Sequence, residues 1–136
     1  MNSPTPFQQL LQAAHAQAEP QRLLFVFAAA ELPDDASPAQ RADFLAGRGG
    51  TLTPQACVDK APAELSSFEA LCRESEATGL PWQVVFIAAL SGRERQAPTP
   101  AQIDQALERL VERVRQGGFS GLLALDRQGQ SLSFAG

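Results

Sequence analysis

The sequence predicts an α/β fold: one domain over residues 1–136, with a mixed sheet of about five strands, helices on both faces and a C-terminal β-hairpin. Three observations carry this expectation. Two short apolar runs, residues 23–30 and 84–90, are continuous and rich in β-branched and aromatic side chains, the pattern of central strands covered on both faces. Three segments share one helix-start chemistry. Helical and extended patterns then alternate along the chain, which by the alternation rule points to layered α/β architecture. At 136 residues, folding should bury roughly two thirds of the unfolded chain's surface, enough for a core without disulfides or a structural metal.

The helix starts are Thr5-Pro6-Phe7-Gln8, Ser37-Pro38-Ala39-Gln40 and Thr99-Pro100-Ala101-Gln102. Each reads as a capping box. The hydroxyl takes the orphan amide three residues on, Gln reaches back, and Pro lacks only a donor the first turn could not have used. After the first, Phe7, Leu10, Leu11, Ala14 and Ala18 recur at helical spacing until Pro20. After the third, Ile103, Ala106, Leu107, Leu110, Val111 and Val114 form a wide stripe opposite Asp104, Glu108, Arg109, Glu112 and Arg113, and Gly117-Gly118 supplies the stop. The second box opens a shorter helix with Ala42 and Leu45 inward, ending at Gly47. A fourth helix is expected to start at Pro62 and run to Gly79, with Leu65, Phe68, Leu71 and Cys72 on one side, before Leu80-Pro81 prevents continuation.

Among the strands, residues 51–58 make a weaker one, demoted to an edge by Pro54. Residues 122–126 and 130–134 flank Asp126-Arg127-Gln128-Gly129 and read as a hairpin with Gly129 left-handed. This last helix and hairpin look like the second half of a thioredoxin fold in topology alone, since no Cys-x-x-Cys follows the first strand.

Composition excludes several function classes. Net charge is −4, and the 11 cations are ten Arg and the single Lys60 scattered among 15 carboxylates, so no basic field is available for a phosphate backbone. No nucleic-acid partner is expected. The longest apolar runs fall far short of the ~20 residues of a membrane helix, and Met1-Asn2-Ser3-Pro4 does not start a secretory signal. A cytoplasmic location with both cysteines reduced follows as the expectation, with no membrane partner.

Side chains that do acid/base or metal chemistry are few: one His, two Cys and no Tyr. Zinc needs about four N or S ligands at short paired spacing, whereas His15, Cys57 and Cys72 fall in three separate elements, so no metal and no cofactor are expected. Cys57 and Cys72 read as small apolar core residues with no disulfide between them. Gly47-Arg48-Gly49-Gly50 follows a helix and precedes a strand, the reverse of a phosphate loop. Arg93-Glu94-Arg95 could hold an anion, or be a solvated loop of mixed charge.

Taken together, Arg22-Leu23-Leu24-Phe25-Val26-Phe27, Glu31-Leu32-Pro33, Cys57-Val58-Asp59-Lys60-Ala61-Pro62 and Asp126-Arg127-Gln128-Gly129 resemble a small bacterial family that circulates under the label ribonucleotide reductase subunit alpha. The similarity spans nearly the whole chain. The resemblance implies a bacterial cytoplasmic protein and transfers no catalytic residue. The activity in that label requires three active-site cysteines and nucleotide-regulatory sites in a far longer chain; two cysteines in 136 residues do not supply them.

The function expected from the residues is therefore a small non-catalytic domain, monomeric or weakly dimeric, that binds a partner protein or a small ligand. The alternative is a thiol-dependent redox or accessory enzyme. A ligand site is placed where open α/β sheets put one, outside the carboxyl ends of the central strands. Small residues, Ala28-Ala29-Ala30 and Ala88-Ala89, leave room there or simply let helices approach. Glu31, Asp34 and Asp35 would follow one strand, and Ser91, Arg93 and Arg95 the other.

Overall fold

The computed structural model describes residues 3–31, 35, 37–45 and 51–133. Four helices, α1 (Pro6–His15), α2 (Pro38–Leu45), α3 (Phe68–Glu76) and α4 (Pro100–Arg115), accompany four strands, β1 (Gln21–Glu31), β2 (Thr51–Lys60), β3 (Val84–Ser91) and β4 (Leu123–Asp126). The strand order is β2-β1-β3-β4 and every neighbouring pair is antiparallel. This corrects the expected mixed sheet of about five strands. An apolar run reports that both faces of a strand are covered. It carries no information on whether the neighbour runs with it or against it.

The expected hairpin forms its turn without its second strand. Asp126 Oδ1 accepts the amides of Gln128 and Gln130 (2.9 and 3.0 Å), Gly129 takes φ +80°, and its amide closes on the Asp126 carbonyl (3.0 Å). Beyond it the chain makes one isolated bridge, Leu125 to Ser131, and one bond from the Leu132 amide to the Ala124 carbonyl (2.8 Å). Ser131 and Ser133 are exposed, and among the described residues of this arm Leu132 is the apolar side chain that packs on the core. Phe134 lies outside the described residues.

Alternation along the central strands builds two cores. Leu23, Phe25, Phe27, Val85, Ile87 and Leu125 point to one face and pack under Phe7 of α1, Phe68 and Leu71 of α3, and Trp82 of the connection that leads into β3. Leu24, Val26, Ala28, Phe86 and Ala124 point to the other, where α4 brings Leu110 and Val114. Ring contacts serve both layers: Phe7 meets Phe68 edge-on at 5.5 Å, and Phe86 stacks on Phe119 at 4.8 Å.

β2 is an edge strand, as Pro54 requires, and it carries a bulge. Phe27 pairs with Ala56 and Ala28 with Pro54, leaving Gln55 as the extra residue. The insertion reverses the strand's facing. Leu52 belongs to the α4 side, whereas Ala56 and Val58, an even number of residues further on, belong to the α1/α3 side. A regular strand would have put all three on one face.

The three capping boxes form as the sequence chemistry dictates at Thr5, Ser37 and Thr99. Ala42 in α2 is exposed rather than inward; the side chain of Leu45 and the stop at Gly47 lie outside the described residues. The single helix expected from Pro62 to Gly79 is two elements. Pro62–Glu64 is a 3-10 turn, Leu65 is extended at φ −103°, ψ 117°, and α3 begins only after Ser67, whose hydroxyl caps the Ala70 amide at 3.0 Å. Two serines in succession compete for backbone bonds, and the second wins as a cap. Replacing Ser67 with Ala should cost about 1 kcal/mol in denaturant unfolding, while Ser66→Ala should change it by less than about 0.5 kcal/mol.

Candidate functional site

The anticipated crevice at the strand ends is not assembled. β1 and β3 are adjacent but antiparallel: Gln21 pairs with Ser91 and Ala28 with Val84, so Glu31 and Ser91 finish at opposite ends of the sheet. Ten residues of strand separate those ends, about 30 Å. Ala28 pairs with Val84 and Ala88 with Leu24, and both alanines sit in the core under α4. They admit the helix.

Each residue of that proposed site has a local role or none. Glu31 accepts from the Thr53 hydroxyl at 3.3 Å. Asp35 is exposed, and Asp34 lies outside the described residues. Ser91 Oγ accepts from Gln21 Nε2 at 3.0 Å. Arg93 and Gln96 exchange two backbone bonds (3.0 and 2.9 Å) around Glu94 and Arg95, both left-handed at φ 53° and 64°. Such a turn twists with the strands but costs non-glycine residues energy. Here Glu19 Oε2 secures it by accepting the Arg95 amide at 2.7 Å. Gly92 beside it is obligatory, since a Cβ would fall 1.9 Å from the Gln96 carbonyl oxygen. The Gly47-Arg48-Gly49-Gly50 segment is outside the described residues.

The structure instead forms a cavity of about 200 Å³ between the edge strand and α3, lined by Phe27 and Trp82 beneath, residues 55–58 of β2 on one side, and Leu71, Glu74, Ser75 and Thr78 on the other. Leu80 stands at its rim, 42% exposed, the one large apolar side chain so placed among the described residues. Its walls are tied in place. Trp82 packs on Phe27 with centroids 5.0 Å apart and donates its indole N–H to Ser75 Oγ at 2.8 Å. The Ser75 hydroxyl donates in turn to the Cys72 carbonyl at 2.6 Å. Arg127 covers Trp82, its guanidinium 4.5 Å from the ring, and pairs with Glu76 at 2.8 Å. The only lysine, Lys60, reaches from the end of β2 to Glu74 on α3 at 2.7 Å.

On the opposite side of the same strand a wider, open hollow lies between Cys57 and the face of α4 that carries Asp104, Leu107, Glu108, Val111, Glu112 and Arg115. Cys57 therefore borders both hollows. Sequence reasoning missed this region because it is made by the bulge and by the shortened α3, neither of which hydrophobic periodicity reveals. Pro54 within an extended run, and a lone Trp after Leu80-Pro81, were the available signals.

Both thiols are free; Cys57, expected in the core, is exposed on the strand, and Cys72 is half-buried on α3. Partial desolvation at the strand surface pushes the Cys57 thiol up, and Asp59 adds to it. Burial also raises Cys72; Arg127 opposes this, while Glu76 and Glu69 reinforce it. Neither environment favours a thiolate. Among the described residues no His/Cys/Asp/Glu group could hold a metal ion, and no helix is long and apolar enough to cross a membrane. Comparison with protein-family models, curated proteins and solved structures found no match.

Two outcomes follow from these surroundings. Ser75→Ala leaves the buried Trp82 N–H without its acceptor and should lower stability by about 1–3 kcal/mol, with a shift in Trp fluorescence of the folded state. Raised thiols bind their protons more tightly folded than unfolded, so the stability they lend is present below the ordinary thiol range and is lost as pH rises through it. Unfolding titrations at alkaline pH should show that decline, and Cys57→Ala with Cys72→Ala should flatten it.

Proposed function

We propose that the chain is a small non-catalytic domain of the cytoplasm that binds an extended segment of a partner protein along β2, seating one apolar side chain of that segment in the cavity. The observation that carries this reading is the junction of a strand edge, unpaired among the described residues, with the cavity: residues 55–58 supply both. Added strands gain affinity from main-chain hydrogen bonds and specificity from pockets for alternate side chains. A volume of about 200 Å³ is below the ~300–1,000 Å³ of clefts that enclose drug-sized ligands, and suits a single side chain better.

A library of random ten-residue peptides, screened against the full chain, tests this reading. Binders should move the backbone amide signals of residues 55–60 and change Trp82 fluorescence; Trp82 is the only tryptophan, so the signal is unambiguous. Ala56→Leu, which fills the cavity, should weaken them at least tenfold, about 1.4 kcal/mol, with the circular dichroism unchanged. Binders that leave residues 55–60 unperturbed would overturn it.

A further inference from the structure

The flank of the docking edge identifies the chemistry of its partner. Resting on the strand-docking reading, we infer that the segment bound along β2 alternates apolar with basic residues. Side chains of an added strand alternate between the two faces of the sheet. Those on the α3 side meet the apolar cavity of Phe27, Trp82 and Leu71. Those on the α4 side pass over Cys57 into the open hollow, whose charged lining is Asp104, Glu108 and Glu112 against the single Arg115.

These three carboxylates occupy positions i, i+4 and i+8, one ridge of α4, the helix that packs against β2 more than against any other strand. Their rise of about 6 Å per step lies close to the ~6.7 Å between same-face side chains of a strand. Glu112 is engaged by Arg115 at 2.7 Å and by Gln116 at 3.0 Å. Asp104 and Glu108 are exposed and make no ion pair with another described residue. Lys60, which could have repelled a basic segment, is neutralised by Glu74 on the other side of the strand.

Charge also argues against a second copy of this chain as the occupant. Two β2 edges paired antiparallel about a two-fold axis place both α4 helices on the same face, bringing Asp104 and Glu108 of each copy toward their counterparts. Each copy is acidic overall, at −4. A basic segment removes that repulsion and gains from it.

The test uses three ten-residue peptides of one design, alternating Val with Lys, Ser or Glu, titrated into the full chain and read by Trp82 fluorescence and the amides of residues 55–60. The Lys peptide should bind at least tenfold more tightly than the Ser peptide and the Glu peptide more weakly than either. The preference should shrink between 0.05 and 0.5 M salt, and the exposed pair D104K with E108K should reverse it. Equal affinities, with the shifts still at residues 55–60, would overturn the basic-partner inference and leave strand docking standing. Shifts confined to α4 with Trp82 silent would overturn both. Sedimentation showing a dimer that D104K with E108K strengthens, and that competes with the peptides, would assign the edge to a second copy and likewise overturn the inference.

Discussion

The structure depends on β1 being enclosed from every direction. Residues 23–29 are all buried, with α1 and α3 above, α4 below, and β2 and β3 on either edge. A strand so placed contributes two faces of apolar area and two ladders of backbone bonds at once, so its covering layers share one dependence. Phe25 and Val26, adjacent in sequence and both fully buried, belong to different cores. Loss of β1 would dismantle both.

From that enclosure the asymmetry of the molecule follows. β3 and β4 complete the sheet on one side, with Leu132 closing over Ala124 through a backbone bond. On the other side β2 ends the sheet, and its bulge turns Ala56 and Val58 toward α3 while Cys57 looks toward α4. The cavity exists because α3 starts late, at Phe68, and because Trp82, Ser75 and Arg127 hold its far wall as one bonded unit. The site is a consequence of how the sheet is terminated.

Much of the architecture was legible in the residues. The Ser/Thr-Pro-x-Gln boxes located three helix starts because capping is a local transaction between atoms three residues apart. The apolar runs located the two central strands, and Pro54 the edge. Strand direction was not legible, because burial on both faces yields the same continuous run in either orientation. That single ambiguity misplaced the anticipated site: Glu31 and Asp35 depend on which end of β1 neighbours Ser91 and Arg95. The fifth strand was not legible for a different reason: alternation of Ser131, Leu132 and Ser133 satisfies the period of a strand, whereas the described residues there make only an isolated bridge and one further backbone bond to β4.

The bulge has a further bearing on how regular an edge the sheet presents to other sheets. An open edge presents unpaired amides and carbonyls to every passing molecule, and a long regular one can seed indefinite stacking of sheets. Pro54 withholds a donor, Gln55 interrupts the pleat, and the charged Asp59 and Lys60 close the far end. Between Pro54 and the ion-paired Asp59 and Lys60 lie four residues, 55–58, a far shorter regular template than the ten-residue strand as a whole.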